Sequence, residues 1–195
     1  MTLDLQILKD LREKTGVGIA DCKAALEEGG GDLQKAIELL RERGHVKAAK
    51  KSDRTTSEGL VGVYLHANGK IGAMVKVLCE TDFVARSDDF RNFVRDLALH
   101  VASENPLYLT LEDVPASVLE KEKAIAIEQL KNEGKPEAMY EKILPGKMNK
   151  YFTDVCLFEQ YFIKDDKKQI KDLVSDMVLK LGENIQIREF HRLSL

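Results

Sequence analysis

Leu5, Leu8 and Leu11, with Ile7 beside them, recur at helical spacing, and the pattern predicts a helix over residues 4–14 that Thr15-Gly16 brings to a stop. Ile19, Cys22, Ala25 and Leu26 repeat the period in a second helix, which Gly29-Gly30-Gly31 ends. Asp32 is then placed to cap a third, carrying Leu33, Ala36, Ile37 and Leu40 as far as Gly44. Three amphipathic helices in residues 1–46 make a unit too small to bury much surface. Its cohesion is expected to come from close approach of short side chains such as Ala20, Ala24, Ala25 and Ala36.

The periodicity changes after a basic stretch. Residues 47–58 open with Lys-Ala-Ala-Lys-Lys-Ser-Asp-Arg and read as a linker, with a nucleic-acid tether as the alternative. Leu60 to His66 and Lys70 to Leu78 are apolar runs around Ala67-Asn68-Gly69, a strong signal for a two-residue hairpin. Pairing Ala67 with Lys70 puts Leu60, Tyr64, Ile71, Ala73, Val75 and Val77 on one face, and Val61, Val63, Leu65 and Met74 on the other. Both faces are apolar, so helices are expected over one and further helices or a second subunit over the other. Phe90, Phe93, Val94, Leu97, Ala98 and Val101 form a helical stripe able to supply the first cover.

Pro115 can start a helix that runs to Asn132, and Gly134 and Pro136 punctuate its end. Residues 137–153 return, so that about 115–154 reads as a helical hairpin whose second arm Pro145-Gly146 should kink or break. Leu157 to Phe162 is apolar but irregular, and Asp165-Asp166-Lys167-Lys168 reads as a polar lead into the next helix. That helix carries Ile170, Leu173, Val174, Met177, Val178 and Leu181, with Gly182 as its stop. Asn184 to Arg192 is a third strand. The fold class is therefore α+β, three helices followed over residues 59–195 by a small three-stranded antiparallel sheet with packed helices.

The totals narrow the function classes without choosing one. With 30 basic and 33 acidic residues the net charge is -3, no general attraction to nucleic acid or an anionic membrane, and neither is expected as a direct partner. No apolar run approaches the roughly 18 residues needed to span a bilayer. Met1 to Asp10 lacks the basic opening of a signal or transit peptide, which points to a cytoplasmic location. Cys22, Cys79 and Cys156 are odd in number and far apart, as reduced thiols are, rather than a disulfide framework or metal clip. There is no GxxxxGK[ST], GxGxxG or GxSxG, and His45, His66, His100 and His191 are scattered without an HExxH pattern. Neither covalent catalysis nor a resident cofactor or metal is expected.

One stretch stands apart from this ordinary pattern. In Cys79-Glu80-Thr81-Asp82-Phe83-Val84-Ala85-Arg86 an apolar strand gives way to a helix, with Thr81-Asp82-Phe83 at the junction. A carboxylate beside a large aromatic, held by a corner between two rigid elements, suits a probe that reaches into a partner protein. The same residues suit a Thr or Asp helix cap beside a core Phe. Thr15-Gly16-Val17-Gly18 is open in the same way, presenting backbone to a partner or simply stopping one helix and starting the next.

Leu11-Arg12-Glu13-Lys14-Thr15-Gly16-Val17-Gly18-Ile19-Ala20-Asp21-Cys22-Lys23-Ala24-Ala25-Leu26 and Glu80-Thr81-Asp82-Phe83-Val84-Ala85-Arg86 resemble the two signatures of the bacterial-type elongation factor Ts family. Gly31-Asp32 with Ala36-Ile37, Lys47-Ala48-Ala49-Lys50-Lys51 and Gly182-Glu183-Asn184-Ile185 carry the similarity through nearly the whole chain. The resemblance implies a guanine-nucleotide exchange factor for elongation factor Tu in translation elongation, with no covalent chemistry of its own. It further implies that Thr81, Asp82, Phe83 and Val84 enter the partner near its magnesium and nucleotide site, Phe83 wedging between helices and Asp82 disturbing the metal. Thr15, Gly16, Val17, Gly18 and Lys23 would dock on the partner's nucleotide-binding domain. The N-terminal unit resembles the ubiquitin-associated type of three-helix domain in fold rather than in partner. Many relatives carry a duplicated core, and 195 residues leave room for one copy. In short relatives a homodimer replaces the missing half, which agrees with the two apolar sheet faces. Tyr161 stands where relatives have Pro in a Leu-Leu-x-Gln-Pro-Phe segment, and Pro145 where their helix continues.

Overall fold

In the computed structural model, which describes residues 4–195, the Asp4 carboxylate accepts from Gln6 N–H and opens α1 (Leu5–Thr15). The first three residues of the expected 1–46 unit lie outside the described range. After α1 come α2 (Ile19–Glu28), α3 (Leu33–Lys51), β1 (Glu58–Leu65), β2 (Ile71–Cys79), α4 (Asp82–Arg86), α5 (Asp88–Glu104), α6 (Ala116–Asn132), α7 (Tyr140–Val155), β3 (Tyr161–Phe162), β4 (Asp165–Gln169), α8 (Ile170–Leu181) and β5 (Gln186–Ser194).

Leu8, Leu11, Val17, Cys22, Ala25, Leu26, Ala36 and Leu40 bury one another in the N-terminal unit, and Leu179 of α8 completes their cluster. Ala25 and Ala36 pack as expected, whereas Ala20 and Ala24 face water. The third helix does not stop at Gly44. It runs to Lys51, so residues 47–51 of the expected linker are its last turns. The reason lies across the interface: a Cβ on Gly44 would stand 3.2 Å from Ser175 O, so the glycine admits the α8 backbone at close range. Contact with α8 then offsets the roughly 1 kcal/mol that glycine costs inside a helix.

Strand β2 lies at the centre of the sheet, antiparallel to β1 on one side and β5 on the other. Leu65 faces Gly72, the register expected from pairing Ala67 with Lys70. The turn itself differs from the two-residue form. Gly69 N–H donates to His66 O at 2.8 Å and Gly69 takes φ 67°, while Asn68 stays at negative φ with its side chain accepting from Lys70 N–H. Between β2 and β5 a bulge falls after Lys76, which opposes Glu189, while Val77 opposes Ile187. The extra residue, Arg188, lets Ile187 and Phe190 reach the same core although they are three positions apart.

Ala73, Val75, Val77 and Cys79 of the sheet bury against Phe90, Val94, Leu97 and Val101 of α5 and Ile170, Val174 and Val178 of α8. The opposite face is open: Val61, Val63, Leu65 and Met74 are 56, 61, 68 and 49% exposed. The α5 backbone comes so near β1 that a Cβ on Gly62 would meet Val94 Cγ1 at 2.6 Å and Val94 O at 2.7 Å. The carbonyl cannot yield without moving α5. Gly62→Ala should therefore lower unfolding free energy in urea by about 1–3 kcal/mol, and an unchanged midpoint would show that the helix is free to shift.

Helices α6 and α7 pack on one another through Ala126, Leu130 and Met148, with Lys147 Nζ donating to Gln129 Oε1 and Glu133 Oε1 at 3.2 Å each. Pro145 does not break the second arm, because Pro145 and Gly146 lie on its solvent side, where the carbonyl left without a donor can be hydrated. Asp165 to Lys168, expected as a polar lead into α8, forms most of β4, which pairs with β3. Tyr161 keeps its ring half exposed in β3, so its presence asks nothing of the core. His100 ties this region to α5: Nδ1 accepts from Ile163 N–H at 3.3 Å, which leaves Nε2–H to donate to Gln160 Oε1 at 3.1 Å. Burial pushes the His100 pKa down, in keeping with a neutral ring.

Candidate functional site

The apolar run of β2 ends at Cys79, whose thiol donates to Thr81 O at 3.3 Å. Burial pushes the Cys79 pKa up to about 11, so the group stays a thiol and acts as a packing atom. Thr81 turns the chain at φ -126°, ψ 155°, and its hydroxyl accepts from Val84 N–H at 3.4 Å, starting α4. The cap reading of Thr81 thus holds. The core reading of the aromatic does not: Phe83 is 83% exposed, while Ala85 is buried and Val84 packs against the sheet core. Asp82 pairs with Arg86 one turn on at 3.1 Å. Ser87 then caps α5 by accepting from Phe90 N–H. The four residues Thr81 to Val84 therefore form one projecting turn, anchored below by Val84 and Ala85 and presenting Phe83 outward.

Sequence reasoning missed what stands behind that turn. Glu183, just past the Gly182 stop of α8, accepts from Glu80 N–H and Thr81 N–H at 3.0 Å each through Oε2. Its Oε1 accepts from the Thr81 hydroxyl at 2.6 Å. Glu80 answers in kind, accepting from Asn184 N–H at 2.6 Å, with Arg54 3.5 Å from its carboxylate. Lys51 at the end of α3 donates to Gly182 O, and burial followed by the nearby Arg54 charge holds the Lys51 pKa down. The Gly182–Ile185 segment was visible in sequence as a helix stop, a strand start and part of the family resemblance; the signal for a role at the corner was its acid–amide pair directly after that stop.

The second candidate group lies on the α1–α2 turn. Gly16 caps α1 at φ 67°, the Thr15 hydroxyl donates to Leu11 O at 2.8 Å, and Val17 is buried in the N-terminal core. Val17 can thus offer a partner only its backbone. Gly18 and Lys23 are exposed, Lys23 lying 3.8 Å from Glu27, and Ile19 beside them is 58% exposed. Lys180 of α8 crowds Gly16 and pairs with Asp89 in the first turn of α5 at 2.6 Å. Thr15 and Lys180 line one cleft with Phe93, Leu97 and Met177.

The family model described as Elongation factor TS matches residues 10–180. The chain belongs to the elongation factor Ts family. It is 55% identical over 195 residues to "Elongation factor Ts" of Maridesulfovibrio salexigens, covering 100% of this chain and 95% of that one. It is 51% identical over 190 residues to the protein of that name from Caldanaerobacter subterraneus, covering 97 and 95%. To that of Thermotoga petrophila it is 52% identical over 192 residues, covering 98 and 96%. These elongation factor Ts chains thus match it in length. Membership places it among the factors of protein synthesis. Among the described residues no helix is long and apolar enough to cross a membrane, and no three His, Cys, Asp or Glu are grouped to hold a metal ion.

Proposed function

We propose that the chain is a guanine-nucleotide exchange factor for elongation factor Tu in cytoplasmic translation elongation. The observation that carries this reading is Phe83, a large apolar side chain 83% exposed on the first turn of a helix rooted in the core. Leaving such a ring in water forgoes about 2 kcal/mol of burial, which a partner's cleft would recover. Phe83 wedges between helices of elongation factor Tu while Asp82 exchanges its pairing with Arg86 for the neighbourhood of the partner's magnesium. A magnesium ion bridging nucleotide phosphates supplies much of the nucleotide's hold, so disturbing it and prying the phosphate loop lowers the barrier to GDP release. The N-terminal unit, of ubiquitin-associated type, docks on the nucleotide-binding domain through Thr15 to Gly18, Ile19 and Lys23.

No bond is made or broken in this scheme; the factor works by preferring the nucleotide-free partner. Binding is reciprocal, so the factor weakens GDP to the degree that GDP weakens the factor. Titration calorimetry should find the nucleotide-free partner bound about a thousandfold more tightly than the GDP-bound one, a difference of about 4 kcal/mol. Equal affinities would end the exchange reading.

A second copy of the chain is the proposed cover for the open sheet face. Val61, Val63, Leu65 and Met74 make one apolar surface there, with Lys76 of the central strand opposite Val61 and Glu189 beside it on β5. Sedimentation equilibrium should give a dimer that Val63→Glu dissociates, and a strictly monomeric wild type would contradict this assembly.

A further inference from the structure

We propose that Glu183 is a positioning residue for the Thr81–Val84 turn, fixing the direction in which Phe83 meets the partner; the inference rests on the exchange reading above. A five-residue helix has no stability of its own, since one turn does not repay the ordering of its backbone. Its aim must come from outside. Val84 and Ala85 hold the base of the turn to the core, but apolar packing is not directional. Direction comes from hydrogen bonds, and the two backbone donors that precede α4, Glu80 N–H and Thr81 N–H, both point at Glu183 Oε2 at 3.0 Å.

The same carboxylate holds the residue that caps the turn. Thr81 donates its hydroxyl proton to Glu183 Oε1 at 2.6 Å, which leaves an oxygen lone pair for Val84 N–H. One side chain therefore fixes the last extended residue, the cap and the rotamer of the cap. Charge-assisted bonds of this kind are short and about twice as strong as neutral ones. The arrangement is reciprocal, because Glu80 Oε1 accepts from Asn184 N–H at 2.6 Å, so each segment's carboxylate satisfies the other segment's backbone.

Asn184 carries the connection further. Its buried amide donates to Ser52 O at 3.2 Å and Arg54 O at 2.9 Å, the backbone that leaves α3. The turn at residues 182–184 thus buckles the corner bearing Phe83 to the helix that ends the N-terminal unit. Holding both surfaces to one turn removes the ordering cost that a loose wedge would meet at the partner. Glu183 touches nothing of the partner in this scheme; it acts through Phe83.

The test is a double-mutant cycle on GDP release from elongation factor Tu, with the full chain titrated to saturation and folding checked by circular dichroism at the assay temperature. Glu183→Ala removes three hydrogen bonds and should lower the saturated release rate about 10- to 100-fold. The half-saturating concentration, set largely by the N-terminal unit, should stay within about threefold. Glu183→Gln keeps an oxygen for the two N–H groups and should recover most of the rate. In a Phe83→Ala background, Glu183→Ala should change the rate by less than about twofold, because it has lost the side chain it acts through.

Should Glu183→Ala not fold, Glu80→Ala leaves the three Glu183 bonds in place, removing the reciprocal bond to Asn184 N–H and the pairing with Arg54, and carries the same cycle with a loss of about threefold to tenfold. A full rate in Glu183→Ala overturns the proposal. So does a loss seen only in half-saturation, or a loss of equal size with and without Phe83. A wild-type chain that leaves GDP release at its intrinsic rate would instead overturn the exchange reading, and this assignment with it.

Discussion

Phe83→Ala should cut the saturated rate of GDP release from elongation factor Tu by about 100-fold while leaving the chain's own thermal unfolding unchanged. The ring is 83% exposed, so its removal takes almost nothing from the core. Truncating an aromatic anchor at the centre of an interface commonly costs about 2–4 kcal/mol, and each 1.4 kcal/mol is about a tenfold change in rate. Stopped-flow release of labelled GDP measures the first quantity and scanning calorimetry the second. The pairing is what gives the result meaning. A variant that loses both activity and stability would place Phe83 in the fold, and one that loses neither would leave it without a role.

Asp172→Ala should have the largest effect on stability, about 3 kcal/mol in urea unfolding. Asp172 is 2% exposed yet meets the Arg41 guanidinium at Oδ2 and His45 Nε2 at 3.1 Å from Oδ1. It also accepts from Gln169 N–H at 3.1 Å as one half of the capping box of α8, and Ser175 Oγ lies 3.1 Å from the far side of the His45 ring. Breaking a buried pair typically costs about 3–5 kcal/mol. The lower end applies here, since Arg41 and His45 are each nearly half exposed and can be hydrated after the loss. Arg41 and His45 belong to α3, so the variant should also weaken partner binding by loosening the N-terminal unit from α8. A loss below about 1 kcal/mol would show that packing of Leu179 and Gly44 alone holds the two together.

The α+β class, the three leading helices and the sheet register were legible because each is set by local periodicity. Leu8 with Leu11, and Ala73 with Val75 and Val77, announce their buried faces without knowledge of what covers them. What stayed hidden depends on a neighbour distant in sequence. Gly44 reads as a helix stop until Ser175 is seen against it, and Asp165 to Lys168 read as a polar lead into the next helix until β4 pairs with Tyr161 and Phe162. The bulge at Arg188 is invisible to a strict two-residue period. The candidate corner shows the same division. Thr81 as a cap, and the adjacency of Asp82 to Phe83, follow from the sequence, but the outward turn of the ring and the bond from Thr81 N–H to Glu183, 102 residues away, do not.

One measurement bears most directly on the account: stopped-flow release of labelled GDP from elongation factor Tu as the wild-type chain is titrated in. The rate should rise with concentration and saturate about a thousandfold above the intrinsic value, a barrier lowered by about 4 kcal/mol. Release that stays at the intrinsic rate with the partner demonstrably bound would mean that the exposed ring does not open the nucleotide site.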